Sequence, residues 1–213
     1  MKVSSFTRSI WLAGLFSVAA LPAFAQEDLY DAVAPPDSGY VRLLNSSDQP
    51  LVLKISGYDK EHVAPSGQFS PYIFLSPGRY DITVGNEKTT LELATKQTMT
   101  LAANGSTLSA LNDDIAQSAK KALIGFYNFS DQPMALKTQD GKVAIVDTLE
   151  PGKSGFREVN EVNIALSVYH DGEKVSDYES TLLRKGRSYS YLVFGAPGQY
   201  KTRIGNSEVD SPE

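Results

Sequence analysis

The sequence predicts an all-β protein: two tandem antiparallel β-sandwich domains, related by internal duplication and joined by a short helical or irregular linker. Three observations predict it. One fifteen-residue segment occurs twice; apolar and β-branched residues alternate over short runs bounded by turn residues; and helical spacing is absent inside either repeat.

The duplication is anchored where Val41 to Ile55 aligns with Ile124 to Thr138, matching Asn45, Ser47, Asp48, Gln49, Pro50, Leu53 and Lys54 to Asn128, Ser130, Asp131, Gln132, Pro133, Leu136 and Lys137. These are seven identities in fifteen at an offset of 83. Downstream, Glu87-Lys88 stands opposite Glu173-Lys174 and the offset has drifted to 86, as loop insertions would make it. The repeated Asn-x-Ser-Asp-Gln-Pro reads as a tight turn, because Asn and Asp side chains bond to nearby amides and Pro fixes φ.

In the first repeat the alternation predicts strands over 40–44, 51–55, 71–75, 79–84, 89–93 and 98–102. In the second it predicts 123–127, 135–138, 143–149, 162–169, 179–183, 188–194 and 200–204. Six or seven short strands per repeat favour a sandwich of immunoglobulin or carbohydrate-module type over a barrel, which pattern alone does not separate. The sandwiches are expected over 40–104 and 123–206. Leu108, Leu111 and Ile115 fall at helical spacing and suggest a short helical piece within the 105–122 linker. The segment 26–39 and the tail 207–213 look extended and mobile.

Residues 1–25 have the three parts of a secretory signal: Lys2 and Arg8, an apolar run from Ile10 to Leu21, and Ala23-Phe24-Ala25. Only 18 uncharged residues separate Arg8 from Glu27, broken by Pro22, which is marginal for a bilayer span. Removal before Gln26 would take two basic residues from a chain of net charge −5, leaving −7. Such a charge argues against a nucleic-acid partner. The chain has no cysteine, hence no disulfide, thiolate metal ligand or lipidated cysteine.

Parts for catalysis are few. There is no Gly-x-Ser-x-Gly elbow, His-Glu-x-x-His, phosphate-cradling loop or dinucleotide fingerprint. Ser118-Ala119-Lys120-Lys121 matches Ser-x-x-Lys, but it falls in the linker without companion elements. His62 and His170 belong to different repeats and read as exposed loop residues. Asp113-Asp114 reads as a cap or solvated turn. No catalytic residue, metal site or cofactor is expected. Binding is expected at the loop carrying Arg157, Glu158 and Asn160, and at Tyr189 and Tyr191, whose rings share a strand face with Val193 and can stack on sugars if exposed. The alternative is that these tyrosines pack the sandwich or a seam between domains. Arg157, Arg184, Lys185 and Arg187 could form a basic patch in the second repeat.

Several segments in order carry a family resemblance: Leu29-Tyr30 and Ala34-Pro35, Tyr40-Val41-Arg42 with Asn45, Tyr127-Asn128 with Ser130-Asp131, Leu136-Lys137-Thr138 with Asp140-Gly141, and Arg157-Glu158-Val159-Asn160. The chain resembles the AlgF family of alginate biosynthesis proteins. Asp31 departs from the glycine expected after the leading tyrosine. The resemblance implies a periplasmic accessory of alginate O-acetylation that is not itself catalytic. Its implied partners are membrane-bound and periplasmic O-acetyltransferases, which carry the catalytic serines and hold it at the inner membrane. The competing expectation is a carbohydrate-binding module that grips the uronate polymer through Tyr189, Tyr191 and the Arg and Lys cluster.

Overall fold

Along Gly39–Asn45, Val41 and Leu43 point to one side, Arg42 and Leu44 to the other, and all four are buried. A strand buried on both faces needs a packed layer on each side. The computed structural model describes residues 34–104, 106–210 and 212, and these form one compact unit. The expected secretory signal over 1–25 and most of the expected extended segment 26–39 lie outside the described residues.

The first repeat supplies β1 (Gly39–Asn45), β2 (Leu51–Ile55), β3 (His62–Ala64), β4 (Gln68–Phe69), β5 (Tyr72–Leu75), β6 (Gly78–Val84), β7 (Glu87–Leu93), β8 (Thr98–Ala103) and β9 (Leu108–Asn112). The second supplies β10 (Ala122–Ser130), β11 (Met134–Thr138), β12 (Ala144–Leu149), β13 (Lys153–Val159), β14 (Val162–Ile164), β15 (Leu166–His170), β16 (Glu173–Asp177), β17 (Thr181–Leu183), β18 (Ser188–Gly195) and β19 (Lys201–Asn206). A last short strand, β20 (Val209–Asp210), follows. The described residues contain no helix.

Each repeat is a sandwich of two sheets. In the first, a front sheet ordered β20-β5-β1-β8-β9, with β4 also on β1, packs on a back sheet β3-β2-β6-β7. In the second, front sheet β13-β10-β18-β19 packs on back sheet β12-β11-β15-β16, and β14-β17 forms a separate ribbon. The duplication is structural: β1 pairs β8 and β10 pairs β18 in the same sense, with Asn45 opposite Ala103 and Asn128 opposite Val193. Most ladders are antiparallel, but these two central pairs run parallel. The back-sheet strands between β1 and β8 provide the long crossover that a parallel pair requires, which local alternation does not reveal.

The repeated turn motif behaves identically in both copies. Asn45 is fully buried; its amide donates to the carbonyls of Gln49 (2.7 Å) and Ala64 (2.9 Å), and its oxygen accepts from the Ser47 amide and hydroxyl. Asn128 does the same with Gln132 (2.7 Å), Leu149 (2.8 Å) and Ser130. One side chain thus closes its own turn and ties it to the chain at the opposite sheet.

Several expectations are corrected. Residues 108–112 of the linker form β9, not a helix, with Leu101 opposite Ala110. A three-residue spacing puts Leu108 and Leu111 on one helix face but on opposite strand faces, and they pack against different cores. Residues 113–121 are irregular. The tail is not free: Val209 pairs with Tyr72, and Asp210 sits 2.8 Å from Lys60 and 3.8 Å from His62. Two paired residues are too few to show a period. The run 162–169 is two strands in different sheets. Neither histidine is in a loop; His62 begins β3 and is buried, which lowers its pKa, and His170 ends β15 with Nδ1 2.9 Å from the Pro133 carbonyl.

The two front sheets face each other across a third core of Leu44, Ala102, Tyr127, Leu192 and Phe194, with Phe69, Leu111, Phe129 and Phe156 at its margin. Gly67, at φ +66° in the turn before β4, lies close against the second sandwich: a Cβ there would come 2.5 Å from the Phe194 ring.

Candidate functional site

At the seam between the sandwiches lies a cluster of charged and phenolic groups that the sequence reading did not gather. β1 carries Arg42 on its outward face, buried to 1% exposure. Its Nε donates to Thr100 Oγ1 (3.0 Å) on β8, and its Nη2 donates to Asp113 Oδ2 (3.0 Å) and to the Tyr127 hydroxyl (2.6 Å) on β10. Asp113, just past β9, also accepts from Tyr72 (2.6 Å), from Thr100, from Tyr127 at Oδ1 (2.5 Å) and from the Asp114 amide (2.8 Å). The guanidinium carbon lies 4.1 Å from the ring centre of Phe69, 4.3 Å from that of Tyr72 and 5.3 Å from that of Tyr127.

Three parts of the chain meet there: the first sandwich, the connector and the second sandwich. Burial opposes the charge on Arg42, but Tyr127, Tyr72 and Asp113 outweigh it and hold its pKa above the ordinary guanidinium value. Burial likewise raises both phenols, so Tyr72 and Tyr127 stay neutral donors. Removing either partner of a pair so surrounded leaves an uncompensated buried charge, which is costly. Within the duplication Arg42 aligns with Gly125, where an added Cβ would already press on Phe156 and Tyr127 at 3.0 Å. Only one repeat has room for the guanidinium. Asp113 is therefore no solvated cap: its side chain is fully buried. The available signal was Arg42 itself, a charge between Val41 and Leu43-Leu44 in a strand.

The residues singled out for binding do not form one surface. Tyr191 is fully buried in the second core, edge-on to Tyr178 with ring centres 4.9 Å apart, and burial pushes its hydroxyl up to about 12. Tyr189 is 7% exposed; its hydroxyl donates to the Leu182 carbonyl (3.0 Å) and accepts from the Arg184 amide (2.9 Å). Neither ring can stack on a sugar from solvent, because their strand face is the one that fills the sandwich. Tyr178 has no hydrogen-bond partner for its hydroxyl among the described residues. Tyr178→Phe is expected to be neutral or to stabilise by up to about 1 kcal/mol in thermal unfolding, since it removes an unpaired buried hydroxyl.

Arg157 and Glu158 lie on edge strand β13 rather than in a loop, a strand that Gly155 and its charges hid from the alternation. Arg157 Nη1 donates to the Ala144 carbonyl (2.5 Å) on β12, so it latches the two sheet edges together. Glu158 is exposed; Asn160 accepts from Lys121 Nζ at 2.6 Å. That contact leaves Ser118 without its lysine, and Ser118 Oγ instead accepts from the Lys120 amide. Among the described residues no three His, Asp or Glu side chains gather as metal ligands.

A protein-family profile described as alginate O-acetyl transferase AlgF matches residues 13–190. The chain is 32% identical over 185 residues to the alginate biosynthesis protein AlgF of Azotobacter vinelandii, covering 86% of this chain and 85% of that one. To the AlgF of Pseudomonas aeruginosa it is 32% identical over 184 residues, covering 85% of each. Among solved structures it is similar to the C-terminal domain of AlgF from P. aeruginosa, at 32% identity and a TM-score of 0.38, over 41% of this chain and 98% of that one.

Proposed function

The chain belongs to the AlgF family and takes part in alginate biosynthesis and its O-acetylation, and from that premise we propose that it is a non-catalytic periplasmic adaptor for the alginate O-acetyltransferases. The observation that carries this reading is the buried cluster at the seam. An adaptor sets the distance and orientation of its partners, and a charged pin shared by both sandwiches and their connector gives it one fixed shape. Its partners would hold it at the inner membrane, on the compartment that the leader implies.

The family description names a transferase, and the serine best suited by motif to that chemistry is Ser118. Its hydroxyl and the Lys121 ammonium are engaged with different groups, which supports a structural role for this loop. In a strain lacking the chain, alginate is expected to lose its O-acetyl groups, and tagged chain is expected to co-purify with the acetyltransferases from membranes. Ser118→Ala is expected to restore acetylation to the native level on complementation. Normal acetylation in the deletion strain would overturn the role altogether; a folded Ser118→Ala chain that binds its partners without restoring acetylation would make the protein an enzyme.

A further inference from the structure

One surface combines a basic turn with exposed apolar side chains. Two adjoining clefts of about 370 Å³ and 200 Å³ share Arg187, Ser188 and Ser207 and so form one trough beside the seam. Leu182 and Arg184 line its first part, Ile115 and Val209 its second. We propose that this trough takes the headgroup phosphate of an anionic phospholipid, so that the chain itself rests on a membrane surface. The proposal goes beyond the adaptor reading, in which partners alone hold the chain there.

Charge carries the inference first. The Gly186 amide donates to the Lys121 carbonyl (2.7 Å) and the Leu123 amide to the Arg187 carbonyl (2.9 Å). These bonds bring Lys120, Lys121, Arg184, Lys185 and Arg187 to one end of the second sandwich, and Arg184, Lys185 and Arg187 are all exposed. None of the five makes an ion pair among the described residues. The trough itself holds two guanidinium groups against one carboxylate, Glu208. Of the other carboxylates nearby, Glu161 accepts from the Lys185 amide (3.3 Å), Asp114 accepts from the Ile115 amide (2.9 Å), and Glu158 stands two strands from Ser188 in the sheet. Cations so gathered attract an anionic surface even on a chain whose overall charge is −5. Two guanidiniums beside the hydroxyls of Ser188 and Ser207 suit a phosphate, which accepts several charge-assisted hydrogen bonds at once. Ser188 Oγ accepts from the Ala116 amide (2.7 Å), which leaves its own hydrogen to donate.

Exposed apolar side chains carry it second. Leu182 is 45% exposed and Val209 44%, and they stand on the two segments that bound the trough, the loop 181–187 and the tail 207–209. Val162, also exposed, stands on β14 opposite Leu183 in the ribbon. Both bounding segments are held in place. The Tyr189 hydroxyl donates to the Leu182 carbonyl (3.0 Å) and accepts from the Arg184 amide (2.9 Å). On the tail side, the Ser207 amide donates to the Ser188 carbonyl (3.2 Å) and the Tyr72 amide to the Glu208 carbonyl (2.7 Å). Apolar side chains exposed among cations enter the interfacial layer of a bilayer while their basic neighbours meet the headgroups. An acidic peptide lying in the trough covers its floor, whereas a bilayer laid over it also covers Leu182 and Val209 at the rim.

The test is flotation of the chain from Gln26 onward with vesicles of phosphatidylglycerol and phosphatidylcholine in equal parts, at low ionic strength. The chain is expected to float with them but not with pure phosphatidylcholine vesicles, and to float less as salt is added. Arg184→Gln/Arg187→Gln is expected to bind roughly tenfold more weakly or worse. Leu182→Asn is expected to bind several-fold more weakly, and both variants to unfold at the native temperature. Lys88→Gln, which removes an exposed cation from β7, is expected to bind as the native chain does. Failure to float with the anionic vesicles, equal flotation with phosphatidylcholine alone, or an undiminished double variant would overturn the proposal. So would soluble glycerol phosphate or polyglutamate binding as tightly as the vesicles, which would make the trough a site for free anions or for acidic protein. The double variant is still expected to co-purify with the acetyltransferases from detergent-solubilised membranes, so the lipid contact can fail while the adaptor stands.

Discussion

Arg42→Ala is expected to lower folding stability by about 3–5 kcal/mol, as measured by urea unfolding, because it strands the Asp113 carboxylate in the seam with its charge uncompensated. Asp113→Ala should cost a similar amount by stranding the guanidinium, and it also removes the acceptor of Tyr72, Thr100 and Tyr127. The two losses share one interaction and should not add: Arg42→Met/Asp113→Leu is expected to be more stable than the sum of the single losses implies. Tyr127→Phe, which keeps the ring and removes one hydroxyl, should cost less than either charge deletion. A loss below about 1 kcal/mol for Arg42→Ala would mean that water reaches the pair and that it fixes nothing.

The second large effect is expected at the repeated asparagines. Asn45→Ala and Asn128→Ala should each cost about 2–4 kcal/mol, since each removes the donor to two carbonyls, those of Gln49 and Ala64 in one repeat and of Gln132 and Leu149 in the other. The aspartates of the same motif are exposed, Asp48 3.8 Å from Lys201 and Asp131 3.3 Å from the Tyr200 hydroxyl. Asp48→Ala and Asp131→Ala are expected to stay within about 0.5 kcal/mol of the native chain. Chemical denaturation of the four variants separates the asparagines from the aspartates, although sequence repetition treats them alike.

The same contrast shows what the sequence made legible. The duplication, the sandwich class and most strands were readable because one-sided burial leaves a period of two, as in Leu51–Ile55, whose observed bounds match the expected ones. β13 and β16 were not, because edge strands such as Lys153–Val159 carry charges and a glycine on both faces. β9 was mistaken for helix because Leu108 and Leu111 serve different cores. The partnership of Arg42 with Asp113 and Tyr127 spans 71 and 85 residues, and no local pattern records it. Tyr189 and Tyr191 share a strand face, as the alternation predicts, and that face turns inward, so of the two expectations for them it is packing of the sandwich and not an exposed stacking surface that the structure shows. Arg184, Lys185 and Arg187 form a cluster legible in the sequence, while Lys120 and Lys121 of the connector join them only through backbone bonds of the fold, the Gly186 amide on Lys121 and the Leu123 amide on Arg187.

An adaptor that fixes its partners' geometry must itself be one body, and residual dipolar couplings measure that directly. In an aligned sample of the chain without residues 1–25, backbone couplings from residues 39–112 and from 122–206 should fit a single alignment tensor. Two separate tensors, differing in magnitude or orientation, would show the sandwiches moving independently and would contradict the pin at Arg42 and Asp113 as the device that holds them.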